Sequence, residues 1–468
     1  MKYFWPAVMA LLFLMSTSAY AEDDLATNIL HELVAINTAP SGGNDLRPAV
    51  ELVTGYLKAA GFSDDDISIV APTENVPNLV VRYRSESPRR RPILMMAHLD
   101  VVEAVPAEWS VPPFEVTEID GYYYGRGIGD NKAGGAMLVA NLIRMKQEGF
   151  KPDRDLIVML TADEESTQHG ATLLTSEYRE LIDAEFALNT DGGSVMLIDG
   201  EARAFVMQTA EKVYVDFRLE AADPGGHSSA PRADSAISRM SRTLAALGEH
   251  RFKIDLNETT RAFLQRWRDF APAEDMELIG ALLSGAPDDE VSAELDKHPY
   301  YNAVARTTCL ATTVNAGHAV NAIPQRAIAE VNCRVLPQFS YESVESALNA
   351  VAAPNDVTVE QIYPYRTSAP SPLAPHVVDH ITELAQEFWP GIVVIPQMST
   401  GATDAVFTRN IGIPTYGISA IAGDPDDNRA HGQDERIGVD DFAVATEYWY
   451  RLVKRMSSDL AVTDNIRD

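Results

Sequence analysis

The chain has 468 residues, of which 46% are hydrophobic and 23% charged, an ordinary composition for a globular protein. Its formal net charge of −30 argues against nucleic acid and against an anionic membrane surface as partners. The length exceeds what one hydrophobic core usually organises, so we expect two or more domains.

Residues 1–21 have the pattern of a secretory signal. Lys2 precedes an apolar run, and Ala19-Tyr20-Ala21 supplies small residues for cleavage. The run is too short to span a membrane, and no later stretch approaches ~18 uninterrupted apolar residues. We therefore predict an exported protein, periplasmic or secreted, that is cleaved near Ala21.

The two cysteines, Cys309 and Cys333, are too few for a disulfide framework, and neither has a neighbour typical of a metal site. If the segments that carry them pair antiparallel, the two side chains could face each other, and export would permit the bond. The sequence leaves a disulfide and two free thiols equally open.

Strands and helices alternate in the first part of the mature chain. Short apolar runs predict buried strands at 78–83, 92–97, 155–161 and 186–189. Helical patterns lie at 47–60 and 136–148. This alternation predicts an α/β fold with a mixed, largely parallel sheet flanked by helices. We assign residues 22–210 to the first part of this domain and 369–468, where the alternation returns, to its second part.

The segment between these parts changes character. Its strands and helices follow the order β-α-β-β-α-β, which is typical of an α+β ferredoxin-like domain. We predict such an inserted domain over residues 211–368. Helical patterns at 250–300 hold no evident catalytic cluster, and we interpret them as an insertion.

Polar side chains follow three of the predicted strands where each strand ends. They are His98 with Asp100, Glu164 with Glu165, and Asp191. In parallel sheets, ligands bind beyond the carboxyl ends of the strands. A further carboxylate, Asp130, lies in a glycine-rich loop that lacks the ending of a P-loop. Any one of these residues could be a helix N-cap, but together they predict a metal site.

The spacing of these residues suggests a different role for each of them. His98 and Asp100 point the same way on an extended strand, so Asp100 could accept the second ring N–H of a metal-bound histidine. Glu164 and Glu165 are adjacent and cannot both enter one site from a regular strand. At a strand end, one could bind a metal while the other takes a proton from water.

The ordered motifs of the chain resemble those of a known family. They are His98-x-Asp, Gly125-Arg-Gly-x-x-Asp-x-Lys, Asp163-Glu-Glu, Asn189-x-Asp-Gly, Gly225-Gly-His-Ser, Asn321-x-Ile-Pro, Gly401-x-x-Asp-Ala and His431-Gly. As a set they resemble the dizinc amidohydrolase and peptidase family of aminoacylase, glutamate carboxypeptidase and carnosinase. The insertion and the export signal resemble its branch of carboxypeptidase S and the secreted N-fatty-acyl amino acid hydrolases.

The resemblance implies two Zn²⁺ ions per chain, with Co²⁺ or Mn²⁺ as alternatives. It implies that Asp130 bridges the two ions, that His98 and Asp191 bind one of them, and that Glu165 and His431 bind the other. It also implies a cis peptide bond after Asp130. Relatives often have Lys-Gly two residues after the bridging aspartate, whereas here Ala133 follows Lys132, and we expect no loss of metal.

The resemblance also implies the remaining roles. Glu164 would be the general base for a metal-activated water, and Asp100 would orient His98. The inserted domain would be a lid and dimerisation domain of a homodimer. The other implied site residues are His227, which acts in the partner subunit's site on the developing oxyanion, Asn321 and Arg334, which hold the substrate, and Gly401, which lines the pocket.

The implied function is an exported dizinc hydrolase that cleaves the amide bond of small peptides or N-acyl amino acids bearing a free carboxylate. The planar guanidinium of Arg334 suits that carboxylate. An inactive homologue that binds peptides in the periplasm is the alternative, although such a protein should have lost Glu164 or a ligand. A serine hydrolase is disfavoured because no serine has a Gly-x-Ser-x-Gly context, and a two-metal phosphatase suits Arg334 less well.

Overall fold

The computed structural model describes residues 25–232, 234–362 and 366–458. The predicted export signal, residues 1–21, lies outside them. The strands are β1 (Ile67–Val70), β2 (Asn78–Tyr83), β3 (Ile93–His98), β4 (Thr117–Ile119), β5 (Tyr122–Tyr124), β6 (Leu156–Thr161), β7 (Phe186–Asn189), β8 (Ser194–Ile198), β9 (Glu201–Glu211), β10 (Val213–Ala222), β11 (Gly226–His227), β12 (Thr308–Ala316), β13 (Ala322–Ile323), β14 (Arg326–Val335), β15 (Thr358–Gln361), β16 (Val393–Ser399), β17 (Thr415–Gly417), β18 (Ala422–Gly423) and β19 (Arg436–Gly438).

The α-helices of the described residues alternate with these strands. They are α1 (Leu25–Ala35), α2 (Arg47–Ala59), α3 (Lys132–Gln147), α4 (His169–Ser176), α5 (Arg179–Ile182), α6 (Ala236–Glu249), α7 (Glu258–Trp267), α8 (Met276–Ser284), α9 (Asp288–Leu295), α10 (Pro299–Ala305), α11 (Tyr341–Ala352), α12 (Pro375–Phe388), α13 (Ala405–Asn410) and α14 (Val439–Met456). Within the described ranges, no helix combines the length and the apolar character needed to cross a membrane.

A large mixed sheet carries most of the fold. Its strand order is β1-β2-β6-β3-β7-β17-β9-β8-β18, with β16 paired to β9. The four central strands β6, β3, β7 and β17 run parallel, and antiparallel pairs flank them. Every residue of β3 and β6 is buried, as expected of parallel strands covered on both faces. The predicted α/β class with a largely parallel sheet is confirmed.

The residues of β3 show how the helices cover this sheet. Ile93, Met95 and Ala97 join the hydrophobic cluster formed with α1, α2, α3, α12 and α14. Leu94 and Met96 join a cluster on the opposite face, with side chains of α4 and α5. Side chains of a strand alternate between faces, so an uninterrupted apolar run serves two cores at once.

A separate four-stranded antiparallel sheet has the order β12-β14-β10-β15. With α6 and α11 it follows the predicted β-α-β-β-α-β order, and alternate residues of β10 and β14 pack on these helices. Cys309 and Cys333 lie directly opposite each other on β12 and β14, and they form a disulfide with a Cα–Cα distance of 4.1 Å. The antiparallel pairing that the sequence left open is therefore present.

The helices α7 to α10 occupy the segment predicted to be an insertion. Phe263 and Leu278 form one hydrophobic cluster with Ala204 of β9 and Ile395 of β16. These helices therefore pack on the large sheet, whereas Phe252, earlier in the segment, packs against the core of the four-stranded sheet. No local sequence pattern predicts the contact with the large sheet, because it joins residues that are 59 or more positions apart. The domain boundaries themselves remain predictions.

Candidate metal centre

The candidate ligands meet at the carboxyl ends of three neighbouring parallel strands. His98 is the last residue of β3, Glu165 lies shortly beyond β6, and Asp191 lies two residues beyond β7. Asp130 immediately precedes the turn into α3, and His431 comes from the loop between β18 and β19. The strand order β6-β3-β7 makes these ends adjacent, so the sheet topology assembles side chains that are far apart in sequence.

Asp130 lies between the two histidines. Its Oδ1 is 2.9 Å from His98 Nε2, and its Oδ2 is 3.1 Å from His431 Nε2. Asp191 Oδ2 is 4.0 Å from His98 Nε2, and Glu165 Oε1 is 2.8 Å from His431 Nε2. One carboxylate thus faces two separate groups of ligand atoms, each group lying within 4.8 Å. This arrangement fits two cations that share Asp130.

Asp100 connects the strand end of β3 with that of β6. Its backbone oxygen lies 3.0 Å from His98 Nδ1, so the histidine Nε2 is left to face Asp130. Its two carboxylate oxygens accept the backbone N–H groups of Glu164 and Glu165 at 3.1 and 2.9 Å. Asp100 therefore orients His98 through its backbone carbonyl, while its carboxylate fixes the turn that carries Glu164 and Glu165.

The crowded carboxylates of this cluster favour the binding of positive charge. Burial raises the pKa of Asp191 to about 8 and raises the pKa of Glu164 well above its usual range. Hydrogen bonds to Asp130 and Glu165 raise the pKa of His431 to about 10. Carboxylates crowded in a buried site thus favour bound protons. Divalent cations meet the same requirement, and imidazole with carboxylate is a donor set typical of zinc.

The residues beside two of the ligand candidates bind each other. The peptide bond between Asp130 and Asn131 is cis, as the family resemblance implies. Asn131 Oδ1 accepts a hydrogen bond of 2.6 Å from Thr190 Oγ1, next to Asp191. A Cβ at Gly134 would lie 2.1 Å from that hydroxyl. The glycine therefore leaves room for a link that holds the two ligand-bearing segments together.

Glu435 is a site residue that the sequence analysis missed. It is buried and lies four residues after His431. Its two oxygens accept four hydrogen bonds of 2.7 to 3.0 Å from the glycine-rich loop, donated by the backbone N–H groups of Gly127, Gly129 and Asp130 and by Arg126 Nη1. One carboxylate thus fixes the loop that carries Asp130. A local motif gives no hint of this, because loop and carboxylate are about 300 residues apart.

We expect Glu435→Gln to weaken metal binding by about 10- to 100-fold, the usual effect of removing a group that supports metal ligands. The amide would turn an NH₂ group toward backbone N–H donors. Metal affinity can be measured by competition with a chromophoric chelator. Glu387→Gln is a matched control, because Glu387 pairs with Arg451 and Arg455 on the surface. Equal affinities for the two variants would contradict the assignment.

Two other predicted site residues lie together, away from this cluster. His227 pairs with Ala322 in the β11–β13 ribbon, and Ser228 N–H donates to the backbone oxygen of Asn321. His227 is exposed, and no contact in the described residues joins it to the metal-ligand candidates of its own chain. Its Nδ1 accepts from the Ser229 backbone N–H at 3.1 Å, which leaves the ring proton of the neutral histidine on Nε2.

The last two predicted site residues, Gly401 and Arg334, lie on different elements of the fold. Gly401 follows β16 in a loop where its N–H donates to Ser399 Oγ at 3.1 Å. Arg334 lies on β14 and is half-buried. The structure thus brings the metal-ligand candidates together with Glu164 and Asp100. Among the described residues, Asn321, Arg334 and Gly401 make no hydrogen bond or ion pair with this cluster.

Comparison with solved structures gives the same fold. An M20 family metallo-carboxypeptidase from Sulfolobus solfataricus superposes with a TM-score of 0.67 at 18% identity. The match covers 93% of this chain and all of that one.

Sequence comparison identifies the relatives. The human N-fatty-acyl-amino acid synthase/hydrolase PM20D1 is 27% identical over 387 residues, covering 80% of this chain and 76% of that protein. A probable carboxypeptidase S-like protein of Dictyostelium discoideum is 28% identical over 390 residues, with coverages of 81% and 74%. The sequence profile of peptidase family M20/M25/M40 matches residues 94–455. The chain therefore belongs to peptidase family M20/M25/M40 and is an enzyme that acts on amide bonds.

Proposed function

We propose that this protein is a dizinc hydrolase that cleaves the amide bond of N-acyl amino acids or small peptides bearing a free carboxylate. One observation carries the proposal: Asp130 presents one oxygen to His98 and the other to His431, and Glu164 stands beside this pair of sites. Co²⁺ or Mn²⁺ would suit the same ligands.

Each group in this site has a task in amide hydrolysis. When bound, two cations supply Lewis acidity toward the carbonyl and lower the pKa of water. Glu164 takes the proton from the attacking water and returns it to the departing nitrogen. Asp100 supports this step, because it accepts the Glu164 backbone N–H and so fixes where that side chain begins.

Groups outside the metal centre support the proposed substrate class. Arg334 offers a cation with a planar pair of donors, which suits a terminal carboxylate. Asn321 and Gly401 would hold the remainder of the substrate. Two relatives are named for N-fatty-acyl amino acids and for carboxypeptidase S, and both names describe an amide next to a free carboxylate.

The active form is proposed to be a homodimer that pairs through the four-stranded sheet. Strand β12 is an edge of that sheet, and its Leu310 and Val314 side chains are 71% and 61% exposed. An exposed apolar edge strand is a template for pairing. A second copy of this chain would cover it and would bring His227 of the partner subunit toward the metal centre.

Export is part of the proposal. The signal pattern of residues 1–21 and the disulfide between Cys309 and Cys333 both support it, because disulfides persist in oxidising compartments such as the periplasm or the exterior.

A substrate panel tests the proposed reaction. The purified protein would be incubated with N-acyl amino acids of different acyl length, with dipeptides, and with the corresponding carboxamides. We expect release of the amino acid from the free carboxylates. Binding of these compounds without any turnover would instead favour the peptide-binding alternative.

A further inference from the structure

The four-stranded sheet has one covered face and one open face. Odd-numbered residues of β10 and β14 pack on the helices. Even-numbered residues lie on the other side and are half-buried, except for the exposed Ala222 and Arg326 at the strand ends. Two pairs of direct neighbours stand side by side on this open face: Tyr214 opposite Arg334, and Asp216 opposite Asn332. Cross-strand neighbours of this kind are within reach of each other.

These four side chains form a closed ring of contacts. Arg334 Nε donates to Asn332 Oδ1 at 3.2 Å, and Asn332 Nδ2 donates to Asp216 Oδ1 at 2.7 Å. The Tyr214 hydroxyl donates to Asp216 Oδ2 at 2.6 Å. The guanidinium carbon of Arg334 lies 4.7 Å from the centre of the Tyr214 ring. Each member therefore restrains the next, and the last contact returns to Arg334.

The ring uses only one edge of the guanidinium. Among the described residues, no hydrogen bond or ion pair involves Nη1 or Nη2 of Arg334. The Asp216 carboxylate is engaged by Tyr214 and Asn332 and makes no ion pair with Arg334 within 4.0 Å. The guanidinium of Arg334 is thus not paired with Asp216, and its two terminal nitrogens are left to bind a carboxylate in a parallel pair of hydrogen bonds.

We propose that Tyr214, Asp216 and Asn332 are positioning residues that hold Arg334 with its two terminal nitrogens toward the substrate carboxylate. They thereby make the enzyme selective for acids over their amides. We call these three residues the frame. A rigid, preorganised pair of donors loses less conformational freedom on binding, so the frame raises the affinity for the substrate without touching it. The inference rests on the proposed function, in which Arg334 binds that carboxylate.

The test compares kcat and KM for an N-acyl amino acid and its carboxamide. Arg334→Ala should raise KM for the acid by about 10- to 100-fold, as expected for loss of charged hydrogen bonds. Asp216→Asn, which keeps size but removes an acceptor, should raise the same KM by about 3- to 10-fold and leave kcat and the carboxamide unchanged. Tyr214→Phe, which removes only the hydroxyl, should act in the same direction.

Two controls distinguish a specific loss of Arg334 positioning from a general disturbance of the protein. Glu330→Gln alters another charge on the same face of β14, where Glu330 pairs with Arg218, and should leave both KM values unchanged. In an Arg334→Ala background, Asp216→Asn should have no further effect, because coupled residues are not additive. Equal KM increases for acid and carboxamide, or full additivity of the two substitutions, would overturn the inference.

Calorimetric binding of the same two compounds distinguishes failure of the frame from failure of the proposed function. Tight binding of the acid that depends on Asp216 and Arg334, with no turnover, would refute the hydrolase and retain the frame. Turnover whose KM for the acid does not respond to Asp216→Asn would retain the hydrolase and refute the frame.

Discussion

Glu164→Gln is expected to lower kcat by about 10²- to 10⁴-fold, the range for loss of a general base, while metal content stays intact. The amide has nearly the shape of the carboxylate but cannot take a proton from water. Its backbone N–H would still donate to Asp100, so the turn after β6 should persist. Steady-state kinetics and metal analysis of the same preparation measure the two effects.

Its neighbour provides the matched comparison. Glu165 contacts His431 at 2.8 Å and belongs to the second group of ligand atoms. Glu165→Ala should therefore lose about one metal equivalent per chain, since a two-metal site would be reduced to one. Near-normal turnover of Glu164→Gln would show that Glu164 is not the general base. Loss of metal from that variant alone would show that Glu164, and not Glu165, is the ligand.

His227→Ala is expected to lower kcat by about 10²- to 10³-fold, the effect of removing one oxyanion donor. The reason lies in the ring orientation. Ser229 N–H occupies Nδ1, and the Nε2 proton is available to an acceptor outside the ribbon. His376→Ala, which removes an exposed histidine of α12, should leave kcat unchanged.

Subunit exchange tests where His227 acts. Mixing Glu164→Gln with His227→Ala should restore roughly a quarter of wild-type activity, because half of the symmetric dimers would be mixed and one of their two sites would be complete. That site joins the metal centre of the His227→Ala chain to the histidine of the other. Demonstrated exchange without recovery would show that His227 works within its own chain or has no catalytic part.

The sequence predicted which candidate ligands would lie together because these residues mark strand ends. His98, the glutamates after β6 and Asp191 each lie at or shortly after the end of an apolar strand, and adjacent parallel strands bring such ends together. The residues that the local pattern marks as strand ends are therefore the same residues that the sheet topology brings together. The β-α-β-β-α-β order of the second sheet was also predictable from a local pattern, because the burial of residues in its strands β10 and β14 alternates with period two.

The supporting contacts could not be predicted because they join distant parts of the chain. Glu435 braces a loop about 300 residues earlier, and Thr190 binds Asn131 across the site. The frame around Arg334 depends on the register of β10 against β14, which neither strand reveals alone. The packing of α7 on β16 is of the same kind.

Catalysis is expected to require two metal ions held by one shared carboxylate. The most direct measurement strips the purified protein with a chelator and follows hydrolysis of an N-acyl amino acid as Zn²⁺ is returned. A shared-carboxylate site predicts no activity in the stripped protein and full recovery at about two equivalents per chain. Full amidase activity in demonstrably metal-free protein would contradict the account.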